Sequence, residues 1–182
     1  DSDQAVNPDG VEFIEIWNNT GAEVNFENEG WYLLLVNGFN DFAYDVIQLG
    51  PGILAPNDVW VVGSDDVGAI DQVEFVTDSL QNGADGVLLA SCPTCEGPSD
   101  FVANFDPGTT ATFTTTSGAV GTKIDAVAYD TGDDDDPGLW TKLINVSVQF
   151  DEDLFNTAGT VSLQRTSLAN WLPLTPTSGA LQ

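Results

Sequence analysis

Apolar residues in this chain come in short runs, each soon stopped by glycine, proline, asparagine or aspartate, and seldom at helical spacing. That punctuation favours strands over long helices. Runs rich in Val, Ile, Phe, Tyr and Trp predict β-strands over 11–18, 31–36, 45–49, 59–63, 72–76, 87–90, 124–129, 146–150 and 161–165, with 22–26 a further candidate. Between them stand Asn7-Pro8-Asp9-Gly10, Asn37-Gly38, Gly50-Pro51-Gly52, Pro56-Asn57-Asp58 and Asn82-Gly83, each a turn by its chemistry. Residues 91–122 carry the least pattern and a Thr-rich core at 109–116, and read as one long loop excursion with at most one edge strand. Many short strands joined by tight turns imply an all-β fold, an antiparallel sandwich or barrel. The 182 residues suffice for a single domain, 1–182, with a full core.

The charge is one-sided: 29 acidic residues face Lys123, Lys142 and Arg165, histidine is absent, and the net charge is −26. Charged residues make up only 18% of the chain, so the imbalance is mostly a shortage of cations. A chain so poor in Lys and Arg cannot neutralise phosphates, which argues against nucleic acid and against anionic membrane surfaces as partners. The field suits a soluble extracellular or high-salt setting and hard cations such as calcium. Five Trp, ten Phe and 42% hydrophobic residues exclude disorder as the explanation. The longest apolar run, 31–36, is six residues, far short of the ~20 that cross a bilayer. The chain has no methionine, and is expected to be a processed product or an excised domain.

Without histidine there is no Ser-His-Asp or Cys-His system and no HExxH zinc site. Paired carboxylates remain, so a carboxylate-only glycoside hydrolase is the enzymatic alternative to a non-catalytic module. Cys92 and Cys95 frame Cys-Pro-Thr-Cys, followed by loop residues where a redox centre would need a helix; the reading is a small disulfide clamp and an oxidising compartment. Two acidic clusters could relieve their mutual repulsion by holding calcium: Asp133, Asp134, Asp135 and Asp136 in a tight turn, and Asp1, Asp3, Asp9 and Glu12 before the first strand. Arg165 lies within a predicted strand and is expected to form a structural ion pair with Glu15 or Glu12. Trp17, Trp31 and Trp60 sit in apolar strand contexts and read as core, whereas Trp140 and Trp171 flank loops and are the candidates for stacking on a carbohydrate. Asn18-Asn19-Thr20 and Asn145-Val146-Ser147 are glycosylation sequons.

An ordered set of segments carries a family likeness: Asp1-Ser2-Asp3, Glu12-Phe13-Ile14-Glu15-Ile16-Trp17-Asn18, Gly30-Trp31-Tyr32-Leu33, and the run from Leu80 to Leu89. After these come Ile124 to Thr131, the acidic run Asp133 to Asp136 with Gly138-Leu139, Ser162-Leu163-Gln164-Arg165, Asn170-Trp171, and Thr175 to Ala180. Together they resemble the lamin-tail domain, in the bacterial form found beside secreted nucleases and other exported enzymes. The resemblance implies an immunoglobulin-like β-sandwich located outside the cell or on its surface. It also implies assembly or adhesion, through a protein partner or self-association, or service as an accessory domain of a larger hydrolase. The family pattern places an apolar strand just before the acidic pair matched by Asp1 and Asp3, and this chain starts after it. A sandwich short of that strand would offer an edge to a neighbour's strand, and so a route to polymerisation.

Overall fold

The computed structural model describes residues 12–76, 78–151, 162–167 and 170–174. The strands in chain order are β1 (Phe13–Trp17), β2 (Val24–Asn25), β3 (Trp31–Asn37), β4 (Phe42–Gln48), β5 (Ile53–Leu54), β6 (Val59–Gly63) and β7 (Gln72–Val73). They continue as β8 (Asp85–Ser91), β9 (Thr112–Thr114), β10 (Val120–Asp130), β11 (Phe150–Asp151), β12 (Ser162–Ser167) and β13 (Asn170–Leu174). The helices are short, α1 (Phe26–Glu29) and α2 (Pro137–Lys142). The all-β class expected from the turn-punctuated sequence is the class of the structure. The chain gathers into two compact units, one of residues 25–53 and 83–149, the other of the remaining segments.

The larger unit is built on an antiparallel sheet in the order β10-β8-β3-β4, with β9 paired to the start of β10. Tyr32, Leu34 and Val36 of β3 turn to one face with Leu88 and Ala90 of β8 and Ala126 and Ala128 of β10. Leu33 and Leu35 turn to the other face and are equally buried, so β3 reads as a continuous apolar run. The first face is covered by Phe101, Phe105 and Phe113 and by Leu139 and Leu143. Phe101 lies 5.2 Å from the Tyr32 ring and 5.1 Å from Phe105, while Phe105 and Phe113 meet edge to face at 5.5 Å. Residues 91–122 are loop for most of their length and include one edge strand, β9, but their aromatic residues Phe101, Phe105 and Phe113 are part of this core. Rings at irregular spacing gave the sequence no period by which to announce that role.

In β10 a bulge sits between Lys123 and Asp125. Gly121 and Lys123 therefore share a face with Ala126 and Ala128 despite opposite parity, and Ile124 is turned out to solvent. Bulges of this kind break the alternation on which strand reading depends, which is why β10 extends four residues before the predicted start at Ile124.

In the smaller unit, β1 pairs antiparallel with β6, and β6 pairs parallel with β7. β12 and β13 form a hairpin in which Arg165 stands opposite Trp171. Asn18 closes the first strand. Its amide donates to the carbonyls of Ala22, Leu54 and Ala55, and its side-chain oxygen accepts from the N–H and hydroxyl of Thr20. At 3% exposure it is a loop organiser and no glycan acceptor.

Several expected strands are shorter or displaced. The run 72–76 is strand only at Gln72–Val73, and of 146–150 only Phe150 is strand. The candidate at 22–26 is strand only at Val24–Asn25 and then gives way to α1, because the Asn25 side chain caps the N–H groups of Glu27 and Asn28. Trp17, expected in the core, is 52% exposed: Ile16 takes the inward position, and strand alternation sends the next residue out. Trp140 and Trp171, expected at the surface, are half-buried.

Candidate functional site

The acidic run Asp133–Asp136 lies at one end of the larger sheet, on the loop from β10 to α2. Proline at the first helical position fixes the backbone there, and Asp136 is the N-cap: its Oδ1 accepts from Gly138 N–H (2.8 Å) and Leu139 N–H (3.2 Å). The other end of the loop is held by Asp130, which is 2% exposed and accepts from Gly132 N–H at 2.8 Å and from the Gln149 amide at 2.6 Å. Gln149 turns its oxygen to Asp136 N–H, so one buried amide joins both ends. Asp133, Asp134 and Asp135 are left exposed between these anchors.

Two further carboxylates stand at the same end, and sequence reasoning missed both. Asp85 opens β8 and is 2% exposed; its Oδ1 accepts from Gly38 N–H, and its Oδ2 has no hydrogen-bond partner among the described residues. Burial pushes its carboxyl above the ordinary value and the charge of Asp133 adds to this, while the N–H groups of Gly38 and Gly83 pull it back. Asp41, in the turn between β3 and β4, faces Asp136 across Gly138: a Cβ on that glycine would lie 3.0 Å from a carboxylate oxygen of each. Burial raises the Asp41 carboxyl first and Asp136 and Asp106 raise it further, against the charge of Lys142. In both cases the folded state holds the proton to a higher pH than the unfolded chain. Their contribution to stability therefore grows as pH falls through the folded pKa towards the unfolded value. The only sequence sign of either is its place among turn residues, Asn37 to Asp41 and Asn82 to Gly86.

The acidic residues at this end thus divide by role. Asp130 and Asp136 are structural, Asp85 is buried and Asp41 half-buried, and three exposed aspartates remain. Among the described residues no three acidic side chains converge as a preformed metal site.

The other acidic cluster cannot be assembled from described residues, because Asp1, Asp3 and Asp9 lie outside them. Glu12 is described and is wholly buried. Its two carboxylate oxygens accept from the N–H groups of Ser79 and Leu80, both at 2.7 Å, while its backbone pairs with Ser64. It clamps the turn before β8 to the start of β1. Cys92 and Cys95 are joined by a disulfide with Cα atoms 5.4 Å apart, closing a turn in which Cys95 N–H donates to the Cys92 carbonyl. Glu15 is half-buried in β1, and Arg165 holds its guanidinium 4.8 Å over the Trp171 ring, a cross-strand cation–π pair.

The remaining two cations meet beside α2. Lys142 pairs with Asp106 at 2.8 Å. Lys123, 2% exposed, donates to the carbonyls of Gly108 (2.7 Å) and Lys142, tying β10 to the loop after Phe105 and to the end of α2. No protein-family model, curated protein or solved structure matches the chain. Its chemistry must be read from its own residues.

Proposed function

We propose that this protein is a non-catalytic secreted or cell-surface β-module that mediates assembly or adhesion. One observation carries the reading: each of the chain's three cations is committed to an intramolecular partner, Lys123 to carbonyls, Lys142 to Asp106 and Arg165 to Trp171. Among the described residues, what faces outward is chiefly acid, hydroxyl, amide and scattered apolar side chains. Such a surface repels anionic substrates and polyanions and leaves backbone edges and apolar residues as the means of contact. The Cys92–Cys95 disulfide suits an oxidising compartment.

The lamin-tail likeness belongs to the same proposal. In its support, the segments Glu12–Asn18, Gly30–Leu33, Leu80–Leu89, Ile124–Thr131 and Ser162–Arg165 overlap β1, β3, β8, β10 and β12. Against a glycosidase, the carboxylates of Asp41 and Asp136 face each other across Gly138, but the Oδ1 of Asp136 is filled by two backbone N–H groups. The accessory-domain alternative differs only in what the module is attached to. Carbohydrate contact would rest on Trp17, the one exposed indole among the described residues.

Surface labelling of intact source cells, with alkylation before and after reduction, tests the reading. The expected result is a chain reached by impermeant reagents, with no alkylation until a reductant is added. A cytoplasmic chain with two free thiols would overturn it.

Calcium enters this proposal as a counterion for Asp133, Asp134 and Asp135, since both oxygens of Glu12 and the Oδ1 of Asp136 already accept from backbone N–H groups. With a Kd of the order of 0.1–1 mM, as in extracellular modules, 10 mM calcium should raise the Tm of chelator-treated protein by about 3–6 °C. No calorimetric heat and an unmoved Tm would remove the ion.

A further inference from the structure

The larger sheet has one edge that is covered and one that is open. On β4, Ala43 N–H donates to the Phe105 carbonyl at 2.8 Å, and the exposed Asp45 carboxylate accepts from Val46 N–H, also at 2.8 Å. A bridged and charged edge of this kind resists a foreign strand. β9 itself has neither protection, although just past its end Thr116 N–H donates to the Asp100 carbonyl at 3.1 Å. Lys123 N–H donates to the Ala111 carbonyl and Thr115 N–H to the Ala119 carbonyl, so the odd-numbered residues of β9 and its flanks bond to β10. Thr112 and Thr114 therefore direct their N–H and C=O groups away from the sheet. Both residues are exposed, and no described residue pairs with either N–H or with the Thr114 carbonyl. The Thr112 carbonyl is held only by its neighbour, the Thr110 hydroxyl, at 2.6 Å.

The strand is firmly placed. Phe113 lies over Gly121, where a Cβ would come within 2.2 Å of the ring, and the ring is part of the aromatic cluster beneath. An aromatic ring packed on a cross-strand glycine fixes register. The strand itself is also neutral, since no residue between Asp106 and Lys123 carries a charge, and the Asp100 carboxylate accepts from Ser117, three residues beyond Thr114. That matters in a chain of net charge −26, because two copies repel wherever acidic surface meets acidic surface.

We propose that the open edge of β9 is a self-association site, at which a second copy adds its own β9 antiparallel across a two-fold axis at Phe113. The inference deepens the assembly reading and rests on it. Thr112 of each copy then stands opposite Thr114 of the other, exchanging backbone hydrogen bonds, with threonine beside threonine on the outer face. The result is an isologous dimer whose two sheets run on as one. Strands this short bury far less than the roughly 1,200 Å² of a stable interface, so the dimer is weak. It also tightens with salt, because the Debye length shrinks from about 10 Å at 0.1 M to about 3 Å at 1 M.

Sedimentation equilibrium of the full chain up to about 2 mM, in 0.1 M and 1 M NaCl with a chelator present, tests this. The expected result is a monomer–dimer equilibrium with Kd on the order of 0.1–1 mM at high salt, at least tenfold weaker at low salt. Thr114→Pro removes an outward donor, and Thr114→Asp places a carboxylate at the seam without touching the bonds to β10; each should weaken the dimer at least tenfold. Thr110→Ala frees the Thr112 carbonyl and should tighten it about fivefold. A monomer at 2 mM in 1 M NaCl overturns the proposal, as does a dimer indifferent to both Thr114 variants. Indifference would leave the assembly reading standing through another surface, whereas cytoplasmic free thiols would remove that reading whatever the Thr114 variants do.

Discussion

Glu12→Ala is expected to lower the unfolding free energy of the smaller unit by about 3–4 kcal/mol, because two backbone donors lose a charged acceptor inside the protein. The carboxylate is fully buried, and its bonds to Ser79 N–H and Leu80 N–H are both 2.7 Å, the length of charge-assisted hydrogen bonds. Alanine also leaves a void where the buried side chain stood. Glu12→Gln separates the two contributions. Its amide oxygen can serve one N–H, but its NH2 turns a donor towards the other, so the expected loss is about 2 kcal/mol. Urea titration followed by tryptophan fluorescence reads the effect, since Trp17 and Trp60 lie on the paired strands β1 and β6. With a slope of about 2 kcal/mol per molar, the alanine variant should lose 1.5–2 M in midpoint. A midpoint moved by less than about 0.3 M would show that this buried carboxylate does not hold the turn. The calcium response assigned to Asp133–Asp135 should be unaltered in the folded variant, which distinguishes a clamp from a ligand.

Glu12 also shows where sequence reading stops. The strand that follows it was legible, because Phe13-Ile14-Glu15-Ile16-Trp17 has the composition that strands need. The role of the carboxylate was not, because its partners lie at Ser79 and Leu80, and no local pattern encodes a contact across 68 residues. The same division runs through the larger unit. β3 and β8 announce themselves as apolar runs bounded by turns, whereas the Phe101–Phe105–Phe113 cluster is spread through a segment with no period. At Asp133–Asp136 a local signal existed but pointed two ways. Four aspartates before Pro137-Gly138 suit a cation loop, yet aspartate followed by proline is also how a helix begins, and α2 begins there. The structure assigns Asp136 to the helix and leaves its three neighbours exposed. Gln149 gave no signal at all: an amide in Val-Ser-Val-Gln-Phe looks like the outward residue of a strand, and instead it ties the acidic loop together.

Raising the pH from 7 to about 10 is expected to stabilise the larger unit, opposite to the usual decline of proteins in alkali. Lys123 is the cause. Burial first, and then the nearby charge of Lys142, bring its amine from 10.5 down to about 8 against the pull of Asp106. Between those two values the unfolded chain keeps a proton that the folded chain has released, so stability rises with pH across the window and levels off above it. Below pH 8 both states hold the proton and the cost of the buried charge is constant. The gain should be on the order of 2 kcal/mol by pH 10. Tyr32 limits it from above: burial, aided by Asp100, raises its hydroxyl, so the unfolded chain ionises first and stability declines once pH passes about 10. Lys123→Met isolates the effect. At pH 7 the loss of a buried charge offsets the loss of donors to the Gly108 and Lys142 carbonyls, and the net change should be within about 1 kcal/mol. At pH 10 the wild-type amine is neutral and still donates, so the variant should fall about 2 kcal/mol below it, with no slope between pH 8 and 10. Denaturant midpoints at half-unit pH steps read both curves, and an equal slope in the methionine variant would assign the rise to some other group. Because the amine is sealed inside, it should also resist acylation in the folded protein at pH 8.5, where Lys142 is labelled. A cation that serves only the interior is what leaves the outer surface of this chain to its acids and to the neutral edge of β9.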